Sequence, residues 1–323
     1  MPQINHVIFG MKCIYFFLLT LFAVTNANAA CMDFYKSAGS YLTFKSGGLD
    51  RVAYLRWPRN FDFIKNNGLP LIFDIHGSGG NGRHEMNMTG WGNASDKYNL
   101  LVVAPQGYLK NLDGFSWVVR GNQLSGTSEI SSKIEIDDIL YLKDLISLLK
   151  SSGCVDINKI YLSGFSGGAR LASEYVCQAS ERIAGLIAVA GLRAGAPRKK
   201  SENVFEPDGN ECRPLHNFSI LSFANLDDSV NPYNGGGAVY WGYGTEKAVA
   251  RWVQLFGCDK DPRVELIYSK QTDRTFGGCV EGVQVRTIVG VVGGHAWPTL
   301  LASDGVSKNT YFIDLIVNYF NLQ

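Results

Sequence analysis

Gly164-Phe165-Ser166-Gly167-Gly168 sets a serine among glycines, directly after the apolar run Lys159-Ile160-Tyr161-Leu162-Ser163 and before a helical pattern, Gly168 to Gln178. On such a sharp strand-to-helix turn a hydroxyl stands clear of the backbone and can act as a nucleophile. The Gly167 amide, at the helix start, would face any negative charge developing beside it. Gly and Ser are common in turns, so the motif alone also fits an incidental serine. The strand before it and the helix after it argue against that. A serine hydroxyl is a weak nucleophile and needs a base, which in turn needs an acid to orient it.

A strand, G-x-S-x-G and a helix together form the nucleophile turn of α/β-hydrolases, where the chain order is Ser, then Asp or Glu, then His. The histidines are His6, His76, His84, His216 and His295. Only His295 lies late enough to follow an acid on a later strand. It stands in Gly293-Gly294-His295-Ala296-Trp297-Pro298, just after the expected strand Val283 to Val289. A lone late histidine is otherwise read as a surface or core residue, and elimination of the others weakens that reading. The acid should follow the strand Phe218 to Phe223, where Asp227 and Asp228 both suit the chemistry. The aspartate left over would be solvated or would cap the turn into Val230-Asn231-Pro232-Tyr233. A second oxyanion donor is expected from His76-Gly77-Ser78-Gly79-Gly80, from Ser78 or a neighbour. His76 itself reads as a packing residue under that loop.

These residues need a frame that brings strand ends together. Short apolar runs at Arg51 to Trp57, Leu69 to Ile75, Asn99 to Pro105, Ile183 to Ala190, Phe218 to Ala224 and Val264 to Tyr268 read as further strands. Ile136 to Lys150, Thr245 to Phe256 and Asn309 to Phe320 have helical spacing. The alternation predicts a mostly parallel central sheet with helices on both faces, with sites at the carboxyl ends of the strands. Residues 31–323 read as a single α/β-hydrolase domain.

The 323 residues are 46% hydrophobic, 18% charged and of formal net charge +1, enough to bury a large core. The scattered basic residues give no sign of nucleic acid as a partner. Arg198, Lys199 and Lys200 form the one basic cluster, expected in a solvated loop. Lys12 precedes the apolar run Ile14 to Val24, and Ala27 and Ala29 are small residues of the kind a signal peptidase reads. Residues 1–30 therefore read as a signal peptide, with Met1 or Met11 as the start. The run is too short for a spanning anchor, so no membrane association is expected once it is removed. A buried strand or helix, and a lipid on Cys31, are weaker readings. Cys13 falls in this segment, leaving Cys31, Cys154, Cys177, Cys212, Cys258 and Cys279, an even set that favours disulfides in an exported chain. Their spacing alone chooses no pairing, and without CxxC pairs it does not suit zinc.

The chain resembles the secreted feruloyl esterase and polyhydroxybutyrate depolymerase family, near the carbohydrate esterases. The resemblance rests on Ile75-His76-Gly77 with Gly79-Gly80, Ala104-Pro105-Gln106-Gly107, Asp137-Asp138 and Cys154-Val155-Asp156. It continues through the serine motif, Asn231-Pro232-Tyr233, Gly235-Gly236, Gly257-Cys258, Gly278-Cys279 and Gly294 to Pro298. It covers nearly all of residues 31–323. Family members read His-Gly-Thr-x-Asp before Pro-Tyr, and this register puts the acid on Asp228, with Ala224 and Asn225 replacing the family His and Gly. The resemblance implies disulfides Cys154–Cys177, Cys258–Cys279 and Cys31–Cys212. It further implies a secreted esterase acting on feruloyl or acetyl esters of plant cell-wall polysaccharide, or on hydroxybutyrate esters. The substrate would thus be a small or polymeric ester, with no metal or organic cofactor and a monomeric chain. Trp297 would wall the acyl or alcohol group, although a packing role suits it nearly as well. Two other classes remain: a non-catalytic carbohydrate-binding homologue, against which the retained triad residue types count, and a peptidase, since the same triad can cleave amides.

Overall fold

Apolar residues that run without alternation cannot leave one sheet face in water, and the strands built from them are buried on both sides. The computed structural model describes residues 29–61, 68–111, 113–120, 135–238, 240–267, 271–298 and 309–322. Helix α1 (residues 29–38) leads into a hairpin of β1 (Tyr41–Ser46) and β2 (Leu49–Arg56). Then follow β3 (Leu69–Ile75), α2 (Gly82–Met88), α3 (Trp91–Tyr98), β4 (Leu101–Pro105) and the small hairpin β5 (Leu109–Asn111) and β6 (Gly114–Ser116). Next come α4 (Asp138–Ser151), β7 (Val155–Phe165), α5 (Gly167–Gln178) and β8 (Gly185–Val189). A second hairpin, β9 (Pro197–Ser201) and β10 (Val204–Pro207), precedes β11 (Ser219–Asn225), α6 (Thr245–Leu255), β12 (Arg263–Ile267), β13 (Gln271–Phe276), β14 (Val285–Gly290) and α7 (Asn309–Phe320).

Ten strands form one sheet in the order β1-β2-β4-β3-β7-β8-β11-β14-β13-β12. From β4 to β14 all neighbours are parallel, and both flanks are antiparallel. Along β3, Leu71, Phe73 and Ile75 join a core with Tyr141 and Leu145 of α4 and Trp252 of α6, while Ile72 joins the opposite core with Met86, Trp91 and Ile316. This period-two division seats helices on both faces. The mostly parallel sheet is the expected one. In the flanking pairs, β2 and β12 correspond to expected strands, whereas β1 and β13, which mix polar with apolar residues, were not expected.

The cluster Arg198-Lys199-Lys200 is not a loop. It forms most of the exposed strand β9, where Arg198 and Lys200 pair with Glu206 of β10 at 2.7 and 3.1 Å. Residues 1–28, which hold most of the expected signal peptide, lie outside the described residues.

The disulfides are Cys31–Cys154, Cys177–Cys212 and Cys258–Cys279. Only the last has the pairing that the resemblance implies. Cys31 joins the core beside Cys154, so α1 is tied to the entrance of β7. Cys177 is instead beside the strand of chain that precedes β11, held there by the Arg213 amide donating to the Cys177 carbonyl at 3.2 Å. Alkylation of the unreduced protein should therefore label none of these six cysteines, and non-reducing peptide maps should link Cys31 to Cys154. A labelled thiol, or a Cys154–Cys177 peptide, would contradict this arrangement.

Candidate active site

The site begins at the exit of β7. Ser166 adopts φ 51° and ψ −112°, outside the ordinary regions for an L-residue. Its amide donates to the Val189 carbonyl at 2.8 Å, and its carbonyl accepts from the Arg170 amide at 3.1 Å, so neighbours on both sides hold the turn. The flanking glycines are needed for close approach. A Cβ on Gly164 would lie 2.5 Å from the Gly168 carbonyl carbon, and one on Gly168 would lie 2.0 Å from the Ile75 carbonyl oxygen.

Ser166 Oγ stands 2.8 Å from His295 Nε2, and His295 Nδ1 stands 2.8 Å from Asp228 Oδ2. Asp228 follows β11, and its other oxygen accepts from the Val230 and Asn231 amides at 2.9 and 2.8 Å. That fixes the carboxylate plane before it meets the imidazole. The turn-capping role thus belongs to Asp228 itself. Asp227 points instead at the histidine loop, accepting from the Gly294 and Gly293 amides at 2.8 and 3.1 Å. These two donors hold its carboxyl below the usual range.

Three further residues position the site and were not singled out from sequence. Asn225 Nδ2 donates to the Gly294 carbonyl at 2.9 Å, and Asn231 Nδ2 donates to the Ala190 carbonyl at 2.6 Å. The Phe165 ring lies 5.1 Å from that of His295. The resemblance had marked Asn225 as a departure and Asn231 as a match, but gave neither a contact.

The loop after β3 crosses beside the serine. A Cβ on Gly77 would lie 3.5 Å from Ser166 Cβ, and one on Gly167 would lie 3.1 Å from the Ser78 amide nitrogen. The Ser78 and Gly167 backbones therefore adjoin each other next to the hydroxyl. His76 is fully buried beneath them. Its Nε2 accepts from the Gly107 amide at 3.0 Å, which leaves the hydrogen on Nδ1 to donate to the Gly77 carbonyl at 2.8 Å. Burial pushes its pKa down to about 4, so the ring is neutral at working pH. Trp117 Nε1 donates to the His76 carbonyl at 2.7 Å and closes the underside.

Trp297 does not form a wall of the cleft. It is 5% exposed, and its ring packs edge-on against Phe312 of α7 at 5.5 Å. The chain after His295 turns inward, and a large apolar ring there gains more from the core than from solvent. Among the described residues no three His, Cys, Asp or Glu side chains are grouped to hold a metal ion, and no helix is long and apolar enough to cross a membrane.

No family model matches the chain. Over 168 residues, half of this chain, it is 29% identical to feruloyl esterase B of Piromyces equi, and it spans 29% of that protein's length. Among solved structures, an acetyl xylan esterase from Aspergillus awamori superposes with a TM-score of 0.59 at 14% identity, covering 88% of this chain and all of that one. A thermostable esterase superposes with a TM-score of 0.53 at 15% identity, covering 88% of this chain and 63% of the other. Strand order, the turn that carries Ser166 and these superpositions together show that the chain has the α/β-hydrolase fold.

Proposed function

We propose that the chain is a secreted serine esterase that hydrolyses carboxylic esters through an acyl-enzyme. The observation that carries this reading is the unbroken contact from Ser166 Oγ through His295 to Asp228, at 2.8 Å on each side. Ser166 Oγ attacks the acyl carbon as His295 Nε2 takes its proton. The oxyanion is met by the amides of Gly167 and Ser78. The ester C–O bond then breaks, and the leaving alcohol takes the proton from His295. Water repeats the sequence on the acyl-enzyme, releasing the acid and restoring the serine. Asp228 holds the imidazole orientation throughout.

Feruloyl and acetyl esters of cell-wall polysaccharide are the preferred substrate class. The sequence likeness to a feruloyl esterase supports this, as do Leu226, Val291 and Val292, whose exposed apolar side chains adjoin Asp227 and Gly293 in sequence. Three disulfides suit an oxidising compartment, and removal of residues 1–30 would leave residues 31–323 as one domain. A panel of methyl ferulate, acetylated xylan and hydroxybutyrate oligomers tests the reading, with methyl ferulate or acetylated xylan expected to turn over fastest. Preference for hydroxybutyrate would reassign the substrate. Inertness to all three, with no labelling by a serine-reactive phosphonate, would leave a carbohydrate-binding homologue.

A further inference from the structure

The basic cluster Arg198-Lys199-Lys200 takes no part in the triad, and the fold gives it new neighbours. Arg198 and Lys200 are two residues apart on β9, so they share a face of the β9–β10 hairpin. Lys247 and Arg251 are one turn apart on α6 and share a face of that helix. The two elements meet. Lys247 Nζ donates to the Phe205 carbonyl of β10 at 2.7 Å, and Arg251 Nη2 donates to the Gly209 carbonyl, just past β10, at 3.2 Å. Between hairpin and helix runs a groove of about 460 Å³ lined by Arg198, Lys200, Lys247 and Arg251, with Glu206 as the one acid that lines it among the described residues.

Four cations thus face one carboxylate. Glu206 is shared by Arg198 at 2.7 Å and Lys200 at 3.1 Å, so one negative charge serves two positive ones, whose side chains stay 57% and 65% exposed. Lys247 and Arg251 have no carboxylate partner among the described residues. They meet the two carbonyls, and Arg251 Nη1 also donates to Gln254 Oε1 at 2.8 Å. A carbonyl or amide oxygen satisfies a donor but cancels no charge. The nearby acids do not line the groove. Glu246, beside Lys247 in sequence, pairs with Arg274 at 2.7 Å. Asp208 accepts from the Asn210 amide at 2.9 Å and Glu211 from the Ala196 amide at 3.2 Å, while Glu202 is exposed at the hairpin turn. A concave surface with this imbalance carries a positive potential that concentrates anions.

We propose that this groove binds an acidic polysaccharide, one whose sugar rings carry carboxylates, and so holds a polymeric substrate outside the triad. Guanidinium groups meet carboxylates through parallel N–H donors, and ammonium groups meet them as point charges. Beyond the contacts above, each Arg251 terminal nitrogen keeps a second N–H and Lys247 keeps two. No aromatic side chain lines the groove, so neither a nucleic-acid base nor the apolar face of a neutral sugar finds a ring to stack on. Val204 is the one exposed large hydrophobic residue there, too little to enter a lipid surface. Charge therefore selects the ligand. A chain with carboxylates on successive rings can engage the hairpin pair and the helix pair together, which multiplies two weak contacts. That the bound polymer carries the ester under attack rests on the esterase reading. The binding itself does not.

The test is titration calorimetry of the whole protein with ester-free polygalacturonate oligomers, beside neutral xylo-oligosaccharides and a single-stranded oligonucleotide. The acidic oligomers should bind and the neutral ones should not. Affinity should fall about tenfold as salt rises from about 0.05 M to about 0.3 M. The double variant Lys247→Gln/Arg251→Gln should weaken binding roughly tenfold. Lys247→Glu alone, at an exposed position where the fold has little at stake, should have a comparable effect. Equal binding by the wild type and both variants would overturn the site. Equal binding of the neutral oligomers, or tighter binding of the oligonucleotide, would overturn the ligand. In turnover, the double variant should raise KM on feruloylated pectin at least about fivefold more than on methyl ferulate. An equal change on the two would overturn the hold on the substrate. A protein that binds polygalacturonate yet hydrolyses no ester would refute the esterase reading alone, leaving the binding comparison intact.

Discussion

Ser166→Ala should lower kcat by a factor of roughly 10⁴ to 10⁶ while leaving the melting temperature nearly unchanged. The substitution removes the one oxygen that stands 2.8 Å from His295 Nε2. What it keeps is the backbone that shapes the turn: the Ser166 amide still donates to Val189, and its carbonyl still accepts from Arg170. Alanine tolerates φ 51° about as poorly as serine, so the strain is common to both proteins and cancels in the comparison. Steady-state hydrolysis of p-nitrophenyl acetate, read alongside a thermal melt, separates lost chemistry from lost fold. A few per cent of wild-type kcat remaining would remove Ser166 as the nucleophile.

Asp228→Asn should lower kcat by about 10⁴-fold, and Asp227→Asn by about tenfold. The two neighbours hold different parts of one machine. Asp228 touches the imidazole, and an amide in its place can donate to Nδ1, which favours the tautomer with its hydrogen on Nε2, where Ser166 needs an acceptor. Asp227 touches only the Gly293 and Gly294 amides, so its loss loosens the loop that carries His295 without changing the tautomer. An asparagine there can still accept one of the two bonds. Parallel kcat measurements on the two variants decide the matter, and a larger loss in Asp227→Asn would make the acid assignment wrong.

Much of the frame was legible in residue order because burial leaves a strong local trace. β3 spans the expected Leu69–Ile75, and α4, α6 and α7 differ from expectation by two residues at most, since each is apolar on a period that only one element type explains. The nucleophile turn was legible for a steric reason: glycine is required where Gly164 and Gly168 meet neighbouring backbone, and that requirement is written into the motif. Local sequence also nominated one late histidine and two adjacent acids. It could not choose between those acids, because Asp227 and Asp228 share composition and neighbours and differ only in what faces them after β11 and β14 align in parallel. The same limit applies to Trp297, which turned inward onto α7, and to Cys154 and Cys177, whose partners come from α1 and from the segment before β11. Side-chain type and periodicity thus marked the central strands and the larger helices, and nominated the groups that could react. Direction, partner and burial were decided only by tertiary packing, because each depends on residues tens to more than a hundred positions away that no local pattern encodes.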